Sequence, residues 1–208
     1  MFLPVVATVS IVVLPAMAQA PVGPQAGCPP VATPPAPLNP TTSIDIYHPA
    51  PEALLACVGP TPVTGMTFAH WFTIAERSAS LTERAHSAGL LQEVMGFLIS
   101  SDWIIGEAQE LHIVVTDAKV RRTFDHIRHQ QFPRTREFTK FLESSGQTVE
   151  DLLLRVRLNL LTSRILAHAS KHGGLSPFVR HFRKRWLKRT SCQKAYKVSD
   201  CGQVLNLG

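Results

Sequence analysis

Two pairs of histidines have the spacing that would let one face of a helix hold a metal ion. His168 and His172 are four residues apart, and His126 and His129 are three apart, so each pair falls on one side of an α-helix. A zinc site needs further ligands, and no carboxylate or thiol near either pair completes the set. We therefore expect solvated surface histidines and predict no metal.

No sequence motif for catalysis accompanies these histidines. The chain contains no Gly-rich phosphate loop, no G-x-S-x-G and no H-E-x-x-H, which are the motifs of nucleotide, acyl and zinc-dependent chemistry. The acidic residues Glu143, Glu150 and Asp151 lie where helix caps and surface charges are expected, not as a catalytic pair. The sequence predicts no catalytic residue and no cofactor, and the protein is expected to act by binding.

The four cysteines indicate disulfide bonds in an oxidising compartment. No C-x-x-C sequence is present, so a thioredoxin-like redox site is not expected. Cys192 and Cys201 bracket a short turn near the end of the chain and are the pair that we expect first. Cys57 with Cys201 is the rival pair if strands near the two chain ends come together. Four thiols allow three connectivities, so the partners of Cys28 and Cys57 stay open.

The densest charge lies at residues 180–189, which read RHFRKRWLKR. Phe178, Phe182 and Trp186 repeat every four residues, so they would face the domain while the cations face out. With a net charge of +6, such a helix predicts contact with anionic membrane headgroups, cell-wall polymers or acidic polypeptides, or else a simple solvated face. The cations assigned to this contact are Arg180, Arg183, Lys184, Arg185, Lys188 and Arg189.

The first arginine or lysine of the chain is Arg77, and the almost uncharged stretch at residues 1–56 divides in two. Residues 1–20 hold an aliphatic run that ends in small residues, which is typical of a secretory signal peptide; because no basic residue precedes the run, an N-terminal anchor is the alternative. Residues 21–56 are predicted to be a proline-rich disordered linker, since 14 of the 16 prolines lie in the first 62 residues.

This organisation predicts a protein that works outside the cytoplasm, either secreted or tethered to the cell envelope. The sequence QAGC ending at Cys28 resembles a lipobox, but Gln25 replaces the usual leucine and the cysteine lies well beyond the apolar run. Lipidation is therefore disfavoured. Nucleic acid would match the positive charge, yet an exported domain rarely meets it, so we expect no nucleic-acid partner. The sequence predicts no particular oligomeric state.

Residues 57–208 are patterned as one mainly α-helical domain. A strand is predicted at residues 54–58, broken by a turn and resumed at 63–64, and a second strand at 195–198 would complete a two-strand patch formed by the chain ends. Apolar periodicity and cap residues predict six helices, of which the second is apolar enough to be central. They cover residues 67–78, about 82 or 87 to 111, 116–132, 133–146, 148–172 and 176–189.

The order of these elements resembles the N-terminal chaperone domain of the SurA/PrsA foldase family. The resemblance runs from residue 58 to about residue 169 and rests on short motifs. They are VGPTPVT at 58–64, TFAHW at 67–71, IGEAQEL at 105–111, VVTDAKV at 114–120, REFTKFL at 136–142 and SGQTVEDLL at 145–153. The chain departs from the family where the asparagine of the first turn is lost and Pro60 breaks the strand.

The resemblance implies an exported, ATP-independent chaperone or foldase-like protein that binds unfolded or extended polypeptides. It also implies that the parvulin prolyl isomerase domain is absent, because the chain after residue 169 passes directly to a last helix and a closing strand. Clients would bind a partly apolar groove between helices with micromolar affinity, about −8 kcal/mol. The aromatic residues proposed to line it, each with a place in the core as the alternative, are Phe68, Trp71, Phe72, Phe124, Phe138 and Phe141.

Two other functions stay open at this point. One is a non-enzymatic surface protein that binds the envelope through the basic last helix; its binding would collapse at high ionic strength, whereas apolar client capture would not. The other is a protein related to peptidyl-prolyl cis-trans isomerases, with an unrecognised active site, which would accelerate the exchange of a prolyl peptide.

Overall fold

The computed structural model of the chain describes Cys28, residues 45–80 and residues 87–205. The predicted signal peptide or anchor at residues 1–20, and most of the predicted linker, lie outside these described residues. Six α-helices and a small sheet make up the described part, so the prediction of a mainly α-helical fold is confirmed.

The helices follow one another with short connections. They are α1 (Gly65–Ser80), α2 (Ser87–Glu110), α3 (Asp117–Gln131), α4 (Thr135–Ser145), α5 (Val149–Lys171) and α6 (Leu175–Lys188). The strands flank them and are β1 (Leu54–Val58), β2 (Thr61–Thr64), β3 (Thr190–Cys192) and β4 (Gln203–Val204).

The chain ends meet in a four-stranded sheet of order β2-β1-β3-β4, where we predicted a two-strand patch. β1 pairs antiparallel with β2 and β3, and β3 pairs parallel with β4. The predicted strand at residues 195–198 is wrong: a 3₁₀ helix, Lys194–Tyr196, occupies this position. Tyr196 is 1% exposed and packs edge-to-face on Phe68, so tertiary packing overrides the strand preference of this segment.

The folded domain begins before residue 57, where its boundary was predicted. All five residues of β1 are buried. Before β1, Ile46, Tyr47 and Ala53 pack against the main core, and the ring of Tyr47 stacks on Phe72 with centroids 5.6 Å apart. Residues 45–53 therefore belong to the domain surface and not to a free linker.

Helix α2 is central, as its apolar circumference predicts. It contacts α1, α5, β1, β2 and the 3₁₀ helix. Its first half contributes Met95 and Ile99 to a main core with α1 and the sheet, and its last turns join a second core with α3 and α5. Length and composition alone would also suit a membrane span, but in this fold the apolar residues of α2 serve these two cores.

Several predicted helix boundaries are formed by local hydrogen bonds. Thr116 caps α3 by accepting from the backbone N–H of Lys119, and Gly146 ends α4 in the left-handed conformation with φ of 70°. Thr148 and Asp151 form a capping box at the start of α5. The last helix differs from its prediction, because it begins at Leu175 after Gly174 without a side-chain cap.

Candidate functional site

An open groove of about 660 Å³ lies between α1, α2 and the beginning of α5. This volume is within the range of protein sites that hold small ligands or a few side chains. Its lining mixes apolar and polar side chains, with a carboxylate on α2 and a guanidinium on α5. The residues that matter for its chemistry are Trp71, Ile74, Gly89, Glu93, Phe97 and Arg155.

Two aromatic rings and one guanidinium define one end of the groove. The rings of Trp71 and Phe97 have centroids 4.5 Å apart. Arg155 lies 5.1 Å from the Trp71 centroid and 5.2 Å from the Phe97 centroid, which is cation–π geometry. Within the described residues no ion pair uses Arg155, so its N–H groups are available to a ligand.

The position of Arg155 follows from the way α5 begins. The Asp151 carboxylate accepts hydrogen bonds from the backbone N–H and the hydroxyl of Thr148, each at 2.8 Å. It also lies 2.8 Å from Nε2 of His70 on α1. Burial raises the pKa of Asp151, but the Thr148 and His70 hydrogen bonds outweigh it, so the pKa of this carboxyl lies below its usual value. The ionised carboxylate thus ties the first turn of α5, and Arg155 one turn later, to α1.

The six aromatic residues predicted to line one groove lie in two separate places. Phe68 and Phe72 are 0% and 2% exposed and belong to the main core, the alternative already considered for them. Trp71 is the one member of the six that lines the groove, and with 6% of its surface exposed it also belongs to the main core. Phe97 was missed, because its contact with Trp71 depends on how α1 packs on α2 and not on any local spacing.

The other three aromatic residues form a cluster at the junction of α3 and α4. Phe138 lies 6.1 Å from Phe124 and 5.6 Å from Phe132, and Phe141 lies 5.0 Å from Phe132, between ring centroids. Arg128 covers the Phe138 ring at 5.7 Å. Phe132 was not predicted to belong to this set. The cluster joins α4 to α3 and lines no part of the groove.

Three of the six cations predicted to face an anionic surface are used inside the fold. Arg185 pairs with Glu107 and Glu110, and Arg189 pairs with Glu110. Arg189 also lies 5.2 Å from the Trp186 ring centroid. Arg183 is 3.4 Å from Asp200. Arg185 and Arg189 therefore hold α6 on α2, and only Arg183 of these three stays mostly exposed beside its partner.

The other three cations, Arg180, Lys184 and Lys188, are exposed and follow one another every four residues along α6. None of them takes part in an ion pair within the part of the chain that the structure describes. They form a positive row on the side of α6 away from the core.

Both pairs of cysteines lie at disulfide distance. Cys192 and Cys201, the pair expected first, have Cα atoms 5.7 Å apart. Cys57 pairs with Cys28, also with a Cα separation of 5.7 Å, which excludes the rival pair of Cys57 with Cys201. A Cys28 sulfur held in this bond cannot also carry a lipid thioether. Two such pairs are typical of proteins that fold in an oxidising environment.

The histidine pairs gain no further ligand. His168 and His172 stack with ring centroids 4.3 Å apart, and Nδ1 of His129 lies 2.7 Å from the carbonyl oxygen of Asp125. No group of three or more metal-binding side chains occurs among the described residues. These histidines therefore contribute local contacts at helix surfaces.

Comparison of the chain with protein-family models, curated proteins and solved structures finds no match. A proposal of function therefore depends on the geometry of the groove and of α6.

Proposed function

We propose that this protein is an ATP-independent chaperone of the SurA N-terminal type that acts outside the cytoplasm and binds short apolar segments of unfolded polypeptides in the α1–α2–α5 groove. The observation that carries the proposal is the pairing of Trp71 and Phe97 beneath Arg155 in an open groove with a mixed apolar and polar lining.

The groove has the chemistry that an extended polypeptide needs. Its aliphatic and aromatic lining accepts an apolar side chain of the client. The guanidinium of Arg155 and the carboxylate of Glu93 lie in the lining on α5 and α2, where they meet the carbonyl and N–H groups of the client's backbone. Because the site is shallow and open, little surface is buried and release needs no nucleotide.

The location outside the cytoplasm is supported by two independent features. The two cysteine pairs at disulfide distance fit an oxidising compartment. The apolar leader and the proline-rich segment after it fit export followed by a spacer. Chaperones without ATP are suited to such a compartment, because their binding and release depend on affinity alone.

A groove-filling substitution tests this proposal without removing any core side chain. Gly89 lines the groove, and a Cβ built there meets no atom within 4 Å, so Gly89→Phe places a ring in the groove. Gly96 is on the same helix, is equally open at Cβ and does not line the groove. Gly96→Phe is therefore the matched control.

The assay is suppression of aggregation of a reduced, unfolding client by the oxidised full chain, with prolyl-peptide exchange followed in the same samples. We expect suppression by wild type and Gly96→Phe, at least tenfold weaker suppression by Gly89→Phe, and no acceleration of exchange. Suppression should persist at high ionic strength, because apolar contacts are not screened. Equal suppression of aggregation by all three proteins, or no suppression by any of them, would remove the groove as a client site. Accelerated cis–trans exchange of the prolyl peptide would favour the isomerase-related alternative.

A further inference from the structure

We propose that the outer face of α6 docks this protein on an anionic lipid bilayer. The inference concerns a surface that the client groove does not use, and it stands whether or not the groove binds clients. It follows from how α6 is divided between residues that fix the helix and residues that do not.

The inner side of α6 is fully used in holding the helix on α2. Trp186 is 5% exposed, and its Nε1–H donates to Glu107 at 2.8 Å. Arg185 and Arg189 pair with Glu107 and Glu110 on the same side. The helix is therefore held in one orientation, and the side chains on its outer side project from a fixed support.

The rest of α6 carries three exposed cations and, in its first turns, two exposed apolar residues. The cations are Arg180, Lys184 and Lys188, and the exposed apolar residues are Leu175 and Val179 in the first turns of the helix. Leu187, further along α6, packs against the main core, and Arg183 pairs with Asp200. Leu175 and Val179 are 46% and 50% exposed. Together with the three cations, these two apolar residues fit a partner that is both anionic and apolar.

A bilayer surface offers both properties at the required depths. Lipid phosphates meet Arg180, Lys184 and Lys188, while Val179 and Leu175 reach the boundary of the acyl chains, as in helices that lie in the interface. A soluble polyanion would satisfy the cations but would leave the two apolar residues in water. The net charge of +6 adds long-range attraction toward the same surface.

The test is sedimentation of the full chain with phosphatidylcholine vesicles that contain or lack about 30% phosphatidylglycerol. The uncharged leader is common to every variant, so binding to vesicles without phosphatidylglycerol measures how much of the total vesicle binding comes from the leader. We expect the triple variant Arg180→Gln, Lys184→Gln, Lys188→Gln to lose about 100-fold of the binding that depends on anionic lipid, at about fivefold per cation. The control Arg122→Gln, Arg136→Gln, Lys140→Gln changes the net charge equally on α3 and α4 and should lose less than tenfold, about the long-range share.

A second variant separates a bilayer from a soluble polyanion. Val179→Trp should show a blue-shifted emission and quenching by brominated lipid on anionic vesicles, and neither effect with polyphosphate. Val179→Asn should weaken vesicle binding about tenfold and leave polyphosphate binding unchanged. Equal binding of the two triple variants to anionic vesicles would overturn the bilayer as the partner of this face. The absence of a blue shift and of quenching for Val179→Trp, on vesicles that the protein binds, would also overturn it. This second result would leave a soluble polyanion as the partner.

Discussion

Glu107 on α2 is a carboxylate with 1% of its surface exposed, and two groups of α6 converge on it. Its Oε2 accepts from Nε1 of Trp186 at 2.8 Å and from the guanidinium of Arg185. A buried carboxylate is tolerated only when charged and polar partners satisfy it. Glu107 therefore acts as the acceptor on which the docking of α6 depends.

Replacing Glu107 by alanine should lower the free energy of unfolding by about 3 kcal/mol, because the Trp186 N–H and the Arg185 guanidinium lose their acceptor. Glu107→Gln keeps one acceptor oxygen and should lose about half as much. Glu110→Gln, at a half-exposed pair, is the control and should cost less than about 1 kcal/mol. Urea unfolding at neutral pH measures all three, and similar losses for Glu107→Ala and Glu110→Gln would contradict the assigned role.

Asp102, one turn before Gly106, is an acid whose environment opposes its charge. Burial raises its pKa from the ordinary value of 3.8 to about 6, and among the described residues no hydrogen bond or opposite charge counteracts that rise. An acid with a raised folded-state pKa binds more protons in the folded than in the unfolded chain between these two values. Stability due to Asp102 therefore falls as the pH rises from about 4 to about 6.

The variant Asp102→Asn should for this reason be more stable than wild type by about 2 kcal/mol at pH 7.5, with the difference vanishing below about pH 4. Denaturant unfolding of both proteins at several pH values between 3.5 and 7.5 measures it. A difference that stays constant across this range would mean that the proton uptake of Asp102 is not the cause.

At the scale of elements, the close approach of α6 to α2 requires a glycine. A Cβ at Gly106 would lie 2.2 Å from Cη2 of Trp186, so only glycine leaves room for the indole beside the α2 backbone. This is a packing requirement and not one of backbone conformation. It explains why an otherwise helix-weakening residue lies in the interior of the central helix.

We expect Gly106→Ala to destabilise the fold by about 2 kcal/mol, because the indole must move, although alanine favours the helix. Gly96→Ala on the same helix meets no atom within 4 Å and should stabilise the fold by up to about 1 kcal/mol. Thermal unfolding of the two variants compares them directly. Equal and positive shifts in Tm would show that the α2–α6 contact tolerates a larger separation.

At the scale of the whole molecule, two cross-links hold the chain ends to the sheet. The Cys28–Cys57 pair closes a separation of 29 residues and joins the segment before the domain to β1. The Cys192–Cys201 pair closes 9 residues and joins β3 to the turn before β4. Since β1 and β3 are neighbours in the sheet, both cross-links act on the same part of the fold.

Removing the Cys28–Cys57 pair by double serine substitution should lower the free energy of unfolding by about 3–4 kcal/mol, and removing Cys192–Cys201 by about 2–3 kcal/mol. The first loss is larger because a cross-link that closes a longer loop restricts the unfolded chain more. Thermal unfolding with and without reductant measures this, and reductant should have no further effect on a variant that lacks all four cysteines. If reductant leaves the wild-type Tm unchanged, the cross-links do not contribute to stability.

The sequence by itself determined what depends on residues close together in the chain. Thr116, Gly146 and the Thr148–Asp151 capping box mark helix ends through hydrogen bonds that span three or four residues, so their residue types are sufficient to predict them. The apolar circumference of α2 likewise predicted its central position. The pairing of Cys192 with Cys201, nine residues apart, was also expected first because of their proximity.

Only the tertiary structure decided what depends on distant elements. Trp71 and Phe97 meet because α1 packs on α2. Arg185 and Arg189 pair with Glu107 and Glu110, which lie about 80 residues earlier on α2. The sheet has four strands and not two because β3 pairs with both β1 and β4. A charged or aromatic residue has the same local pattern whether it faces solvent or another helix. The packing of the described chain selects between the two. It decides which aromatic residues reach the groove and which cations of α6 form ion pairs with α2.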